Sequence, residues 1–248
     1  MEPVILHIGA GKTGTSSLQS FLSLNRERLP FAYPPLWADK RAAKGRETTG
    51  NFGELTRGIL NDGDLAGAVR ALQPGGLFSS ERLWDVPRLY MRELLAAVPA
   101  RVVIYLRPQV AMLAAGYRQL YRRGGVEAPP FERYWAHARR GLLYSLKLED
   151  VAGAREVIVR KYDRAALVGG DIVDDFFAAL GLATPEGCVR PAPVNVTTEP
   201  FPFDAETARR ITDWFRADND RLARLLGRDL GLTADNERAA AELEEEGD

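Results

Sequence analysis

The stretch VILHIGAGKTGTSSLQSFL, residues 4–22, decides the fold because it contains a strand, a loop and a helix in direct succession. VILHI is nearly continuous in apolar residues, which is typical of a strand buried on both faces of a parallel sheet. After the glycine-rich loop, Leu18, Phe21 and Leu22 recur on one face of a helix. A loop at a helix N-terminus presents backbone N–H groups and the positive end of the helix dipole, and it therefore favours an anion.

Three further runs predict strands that join the first one. Val102–Leu106 and Val157–Val159 are continuous apolar segments, and Gly76–Ser79 is a weaker candidate. Helical periodicity fills the intervals, most clearly at Ala205–Leu226, where we expect five side chains to face inward: Ile211, Trp214, Phe215, Leu222 and Leu225. The alternation predicts an α/β class, a three-layer P-loop-like fold with a central parallel sheet of about four or five strands flanked by helices.

Composition and charge limit the classes of function. The 248 residues include 33 basic and 34 acidic side chains, a balance that gives no reason to expect a nucleic acid polymer as partner. No apolar run reaches the roughly 18–20 residues of a membrane helix, and the N-terminus has no signal-peptide pattern, so we expect a cytoplasmic protein without a membrane span. We assign residues 1–236 to a single domain and the acidic residues 237–248 to a frayed or disordered tail. The sequence does not indicate an oligomeric state.

Few residues suit a metal or a disulfide. The single cysteine, Cys188, excludes an internal disulfide. With only two histidines, His7 and His137, a zinc site is not expected either.

The glycine loop also matches part of the dinucleotide-binding fingerprint. Gly9, Gly11 and Gly14 spell G-x-G-x-x-G after a strand. That fingerprint needs a second strand ending in an acidic residue about 20 residues further on. Residues 29–40 read LPFAYPPLWADK there, with three prolines and no strand pattern, which disfavours a dinucleotide site.

A kinase is the second alternative. Residues 11–13, Gly-Lys-Thr, end a Walker A motif, but the first glycine of that motif would fall at Leu6 within the strand. The strand VVIYL is followed by Arg107 instead of an aspartate that holds magnesium. A P-loop-like kinase using ATP–Mg²⁺ therefore remains an alternative with these two features against it.

The pattern K-T-G-T-S-S at residues 12–17, directly after a strand, resembles the sulfotransferases that use 3′-phosphoadenosine 5′-phosphosulfate (PAPS). The resemblance is to their bacterial and glycan-modifying branch, and it covers roughly residues 4–230. The loop and the Arg107 segment are its specific motifs. Weaker similarities follow in chain order at residues 25–35, 79–81, 161–182 and 195–197.

The resemblance implies a reaction: transfer of a sulfuryl group from PAPS to a hydroxyl of a carbohydrate or other small-molecule acceptor, without a metal. Adenosine 3′,5′-bisphosphate would be the product. The loop would bind the 5′-phosphosulfate through Gly11, Lys12, Thr13, Gly14, Thr15 and Ser16. Lys12 would also be catalytic, because an ammonium can stabilise charge on the bridging oxygen as the phosphate leaves. Only five of the 33 basic residues are lysines. A lysine in this loop therefore indicates that the site requires a compact ammonium group.

The remaining site assignments also come from the resemblance. Arg107 would bind the 3′-phosphate of PAPS, with Tyr117 matching the family pattern and Asn195 on a late loop near the nucleotide. Ala115 stands where the family usually carries a serine, and the loss of that hydroxyl removes one phosphate hydrogen bond. A nucleotide-binding module without turnover is therefore a third alternative.

Glu81 is the predicted general base for the acceptor hydroxyl. It follows a short strand, and the glycan-modifying branch places a glutamate at about this point. The sequence Ser79-Ser80-Glu81 equally fits a helix cap with an acidic first turn. His7 is a rival base, although its place within the first strand favours a buried structural histidine or one at the edge of the active site over a catalytic one.

Overall fold

The structure is a computed structural model that describes residues 2–35, 50–122, 129–191 and 201–245. The chain forms two compact units, which are Met1–Leu106 with Asp150–Val196 and Arg107–Glu149 with Thr197–Asp248. We call them the first and the second unit. The single domain at residues 1–236 stays a prediction.

The first unit contains a four-stranded parallel sheet in the order β2-β1-β3-β4. Its strands are β1 (Val4–Ile8), β2 (Leu77–Ser80), β3 (Ala100–Leu106) and β4 (Glu156–Lys161). The predicted bounds of the first strand are confirmed, and the other three predictions overlap the observed strands. The predicted α/β class, a P-loop-like fold with a parallel sheet flanked by helices, is confirmed.

Helices connect these strands and make up the second unit. Their bounds are α1 (Thr15–Leu24), α2 (Gly53–Asp62), α3 (Leu65–Ala71), α4 (Arg88–Ala97), α5 (Gln109–Arg122), α6 (Phe131–Ala138), α7 (Tyr144–Asp150), α8 (Ile172–Ala179), α9 (Ala205–Leu226) and α10 (Leu232–Glu245). Among the described residues, no helix has the length and apolar character needed to cross a bilayer.

One face of the sheet packs against α1 and α8. Ile5, Val103 and Tyr105 point to this face, since residues two apart in a strand share a face. The two helices cover it with buried apolar side chains: Leu18, Phe21, Leu22, Ile172, Phe176 and Phe177. This contact fixes the orientation of α1, and hence of the loop that precedes it.

The opposite face of the sheet is also buried. Leu6 pairs with Phe78 and Val102, and all three are fully buried. The ring of Phe52, just before α2, lies 5.7 Å from the ring of Phe78. Burial on both faces explains why the strands read as continuous apolar runs.

A buried carboxylate joins β3 and β4 to α8. Asp175 accepts hydrogen bonds from the Tyr105 hydroxyl at 2.8 Å, from Arg160 Nε at 2.9 Å and from the Val168 N–H at 3.0 Å. Burial alone would raise the pKa of Asp175, but the hydrogen bonds from Arg160, Val168 and Tyr105 outweigh it and hold the pKa below its ordinary value. Removal of one partner would leave a buried charge uncompensated.

Helix α10 extends as far as Glu245, into the acidic segment predicted as a frayed or disordered tail. Ala240 is buried, and two acids of the tail form ion pairs with α9, Glu237 with Arg216 and Glu244 with Arg209. The acidic composition is therefore matched by arginines on the neighbouring helix, which the net charge of the segment alone did not reveal.

The predicted bounds of α9 are confirmed, but two of its apolar side chains do not face inward. Trp214 is 45% exposed and Leu225 48% exposed, whereas Ile211, Phe215 and Leu222 are buried as expected. The Arg139 guanidinium lies 4.1 Å from the centre of the Trp214 ring. A cation–π contact at the surface explains how a large aromatic residue is kept there.

His7 is fully buried in β1 and takes part in a polar chain. Its Nδ1 lies 2.8 Å from Ser79 Oγ, and Gln19 Nε2 donates to the same oxygen at 2.9 Å. Because the Ser79 hydroxyl needs an acceptor for its own proton, we assign Nδ1 as that acceptor and Nε2 as the protonated nitrogen. Burial lowers the pKa of His7 to about 4, so the imidazole is neutral in the folded protein at neutral pH.

We expect His7 to make the fold sensitive to acid. Its pKa is lower when folded than when unfolded, so the unfolded chain binds more protons between about pH 6.5 and pH 4. The stabilisation is complete above that range and is lost as the pH falls through it, by about 3 kcal/mol. Urea denaturation between neutral pH and about pH 4 should show a weaker pH dependence in His7→Gln than in wild type.

The exposed His137 provides the control, because its ring is not buried. His137→Gln should keep the pH dependence of the wild type. An unchanged pH dependence in His7→Gln would contradict the assignment.

Candidate active site

The loop between β1 and α1 has an unusual backbone. Lys12 has a φ of 70°, and among the described residues it is the one non-glycine with a positive φ. A lysine in the left-handed region is sterically unfavourable, and such residues cluster at functional sites. The conformation that places Lys12 is therefore maintained by the packing around the loop at some cost in stability.

Helix α1 begins without a side-chain cap. Gly14 occupies the N-cap position with a φ of 72°, and its carbonyl accepts the first helical hydrogen bond, from the Leu18 N–H at 3.1 Å. A glycine cannot supply the capping oxygen that serine, threonine or aspartate would supply. The first-turn N–H groups and the positive end of the helix dipole thus lie beside Lys12 in the chain, and this combination favours an anion.

The three glycines of the loop have different steric roles. A Cβ on Gly9 would lie 2.0 Å from Thr15 Cγ2, and a Cβ on Gly14 would lie 2.7 Å from Tyr162 Cε2. A Cβ on Gly11 would meet nothing closer than Glu81 Oε2 at 3.8 Å. The fold itself therefore requires glycine at positions 9 and 14 but not at position 11.

The two loop threonines use their hydroxyls differently. The Thr13 hydroxyl donates to the Ala10 carbonyl at 2.7 Å and so closes the loop on itself. The Thr15 hydroxyl, at the first position of α1, donates to Glu81 Oε1. Both threonines are buried, whereas Ser16 is half-buried.

Glu81 lies against the loop, at the end of β2. It begins a short 3₁₀ helix, Glu81–Asp85, whose N-cap is Ser80, with Oγ accepting from the Arg82 N–H at 3.2 Å. The helix-cap interpretation of this segment is therefore correct for Ser80. The Glu81 carboxylate has a separate role, because it contacts Thr15 and approaches Gly11.

The environment of Glu81 changes its proton affinity. Burial raises the pKa of Glu81, and the nearby Asp85 adds to the rise. The hydrogen bond from Thr15 and the charge of Lys12 oppose it, but the pKa remains above its ordinary value. A carboxylate with a raised pKa is suited to accept a proton near neutral pH.

The structure brings together Gly11, Lys12, Thr15 and Glu81, which the sequence separates by up to 70 positions. His7, the rival base, is fully buried, with Nδ1 engaged by Ser79. This supports the interpretation of His7 as a structural histidine. Within the described ranges, no group of three His, Cys, Asp or Glu side chains is placed to hold a metal ion.

The other predicted residues belong to the second unit or fall outside the described ranges. The Arg107 carbonyl accepts from the Tyr144 hydroxyl at 2.7 Å. The Tyr117 hydroxyl donates to the Pro129 carbonyl at 2.6 Å, and its ring packs against Phe131. Asn195 lies outside the described residues, and the roles of all three toward a nucleotide stay predictions.

Sequence reasoning missed Tyr162, whose ring covers Gly14. Tyr162 follows β4 directly, and its hydroxyl is 3.1 Å from the position that a Cβ on Gly14 would take. The available signal was its place after a predicted parallel strand, because the carboxyl ends of parallel strands meet at one edge of the sheet.

The glycine roles lead to opposite expectations for two similar substitutions. Gly14→Ala should lower the free energy of unfolding by at least about 1–2 kcal/mol, because alanine at a left-handed φ is strained and its Cβ meets Tyr162. Gly11→Ala should leave it unchanged or raise it by up to about 1 kcal/mol, since the unfolded chain loses freedom. Urea denaturation of both variants measures the difference, and equal destabilisation by the two would refute these roles.

The fold has a counterpart among solved structures. No protein-family model matches the chain, and no curated protein matches it. The crystal structure of a sulfotransferase from Alicyclobacillus acidocaldarius superposes with a TM-score of 0.53, over 94% of this chain and 99% of that one, at 19% sequence identity. At that identity the likeness is one of fold: the chain has a sulfotransferase-like α/β architecture.

Proposed function

We propose that this protein is a sulfotransferase, which transfers a sulfuryl group from PAPS to a hydroxyl of a carbohydrate or other small-molecule acceptor. The observation that carries the proposal is the loop at residues 9–14, in which a strained Lys12 precedes a helix that begins at an uncapped glycine. The Glu81 carboxylate beside this loop supplies a proton acceptor. The proposed setting is the cytoplasm.

The loop has the donor groups that a phosphosulfate requires. Its first helical turn offers N–H groups, Ser16 offers a hydroxyl, and Lys12 offers a positive charge. Thr15 would contribute its N–H alone, because its hydroxyl donates to Glu81. Thr13 would contribute its N–H alone, because its hydroxyl already donates to Ala10. PAPS, when bound, supplies an activated sulfuryl group on a phosphate leaving group. Gly11 would admit the ligand close to the backbone, and Gly14 would contribute its N–H.

Lys12 would stabilise charge at the leaving group. Sulfuryl transfer resembles phosphoryl transfer, in which catalysis consists mostly of positioning and charge stabilisation. The S–O bond to the phosphate breaks as the acceptor oxygen bonds to sulfur, and negative charge grows on the bridging oxygen. The left-handed backbone at Lys12 fixes the direction in which its side chain leaves the loop.

Glu81 would accept the proton that the acceptor hydroxyl loses. The acceptor oxygen becomes an ester oxygen in the product, so its proton must leave, and a carboxylate near the loop can take it. Thr15 would keep one Glu81 oxygen in place while the other stays available. The raised pKa of Glu81 increases its basicity toward a hydroxyl.

Three more residues complete the proposed nucleotide contacts. Arg107 would pair with the 3′-phosphate, as an arginine can with two hydrogen bonds. Tyr117 and Asn195 would lie near the nucleotide, with the Tyr117 hydroxyl already donating to Pro129. Ala115, half-buried in α5, offers no hydroxyl to the phosphate.

Ligand preference tests the proposal. We expect adenosine 3′,5′-bisphosphate to raise the melting temperature more than ATP–Mg²⁺ or NADH, and Lys12→Ala to weaken bisphosphate binding about tenfold through the loss of a charge-assisted hydrogen bond. Lys12→Arg should recover binding better than turnover, because a guanidinium cannot replace a compact ammonium. Thermal shifts and calorimetric titration give these values.

Arg101→Ala is the matched control. Arg101 lies near the N-terminal end of β3, where it forms an ion pair with Glu156. It removes one positive charge without touching the loop and should bind the bisphosphate like wild type. A preference for ATP–Mg²⁺ or NADH would overturn the proposal. Bisphosphate binding with no sulfate transfer to any acceptor would identify a binding module instead.

We expect protonation of Glu81 to cause the fall in the transfer rate at acidic pH, which is the acidic limb of the pH–rate profile. With radiolabelled PAPS and a panel of sugar and phenol acceptors, Glu81→Gln should lower the transfer rate at least about 100-fold and abolish that limb. Asp85→Asn should move the limb to lower pH, because the charge of Asp85 raises the pKa of Glu81. Full turnover in Glu81→Gln would exclude it as the base.

A further inference from the structure

The helix that begins after Arg107 is capped by a side chain from far along the chain. Pro108 precedes Gln109 at the start of α5 and has no side-chain acceptor, although the start of any helix leaves N–H groups without intrahelical partners. Asn236 of α10 supplies the acceptor: its Oδ1 accepts from the Val110 N–H at 3.0 Å.

Asn236 belongs to a group of three buried amides, which we call the amide cluster: Gln109, Asn219 and Asn236. Gln109 Nε2 donates to Asn219 Oδ1 at 2.7 Å, and Asn236 Nδ2 donates to Gln109 Oε1 at 2.8 Å. A buried amide that loses its partner incurs the full cost of its desolvation. The cluster therefore selects one arrangement of α5, α9 and α10.

A second set of contacts holds the other side of Arg107. The Tyr144 hydroxyl donates to the Arg107 carbonyl at 2.7 Å, and Tyr144 is the first residue of α7. Asp218, the neighbour of Asn219 on α9, accepts from the Ser145 N–H at 3.3 Å and also from the Ser145 hydroxyl. Burial raises the pKa of Tyr144 and the charge of Arg107 opposes the rise, so the guanidinium lies within electrostatic reach of that hydroxyl.

We propose that the amide cluster positions Arg107 for the 3′-phosphate, so that α10 contributes to nucleotide recognition without touching the ligand. The inference rests on the role of Arg107 in the proposed function. Two observations favour it over mere helix packing. The cap acts three residues after Arg107. On the other side, the Tyr144 hydroxyl holds the Arg107 carbonyl, so the backbone that carries the guanidinium is fixed from two directions.

The test compares two ligands that differ by the 3′-phosphate alone, adenosine 3′,5′-bisphosphate and adenosine 5′-monophosphate. The ratio of their dissociation constants measures 3′-phosphate recognition and cancels losses common to both. Arg107→Ala should abolish the wild-type preference for the bisphosphate. Asn236→Ala should lower the preference about tenfold, the effect of one misplaced charge-assisted hydrogen bond, while changing monophosphate binding little.

Matched variants separate positioning from stability. Thr212→Ala removes another buried polar group of the second unit, whose hydroxyl donates to Ala208, and should keep the wild-type ratio. If Asn236→Ala does not fold, Gln109→Ala replaces it, because it unlinks Asn219 from Asn236 without truncating either.

The outcomes are distinct. A wild type that binds both ligands equally would overturn the role of Arg107 in the proposed function. If Arg107→Ala loses the preference while the folded Asn236→Ala or Gln109→Ala variant keeps it, the positioning role of the amide cluster is wrong. The positioning role is supported if Arg107→Ala and the folded amide variant both lose the preference for the bisphosphate while Thr212→Ala keeps it.

Discussion

The close approach of β1 and α1 is the constraint on which the rest of the first unit depends. No side chain fits at Gly9, because Thr15 of α1 occupies the space that a Cβ would need. The same short connection directs Leu18, Phe21 and Leu22 into the core against the sheet. A longer or bulkier turn would move the helix and its apolar face together. Core packing and the anion-favouring helix start therefore follow from a single backbone path.

Charge in the first unit is arranged locally, in a chain whose overall charge is nearly zero. The loop combines the ammonium of Lys12 with the start of α1, and the Glu81 carboxylate is tied to it through the Thr15 hydroxyl. Asp175, by contrast, is neutralised among Arg160, Tyr105 and a backbone N–H within the core. One carboxylate thus stabilises the sheet, and the other keeps a raised proton affinity beside a loop suited to an anion.

Local patterns predicted the regular parts of the fold. The bounds of β1 and α9 match because a buried strand and a long amphipathic helix each leave a periodic signal. Helices α2 and α3 were not predicted, since both contain glycines that interrupt the helical pattern. The inward orientation expected for Trp214 failed because a cation–π contact with Arg139 depends on a distant part of the chain.

The residue types of the candidate site could be predicted from the sequence, but the contacts between those residues could not. Lys12 and Gly14 follow from the loop pattern, yet nothing local shows that Thr13 bonds within the loop whereas Thr15 bonds to Glu81, 66 positions away. The side-chain cap from Asn236 is equally invisible, with 126 positions between the two partners. That distance also affects the order of folding. During synthesis Val110 emerges long before Asn236, so we expect the start of α5 to gain this cap only after α10 has been made.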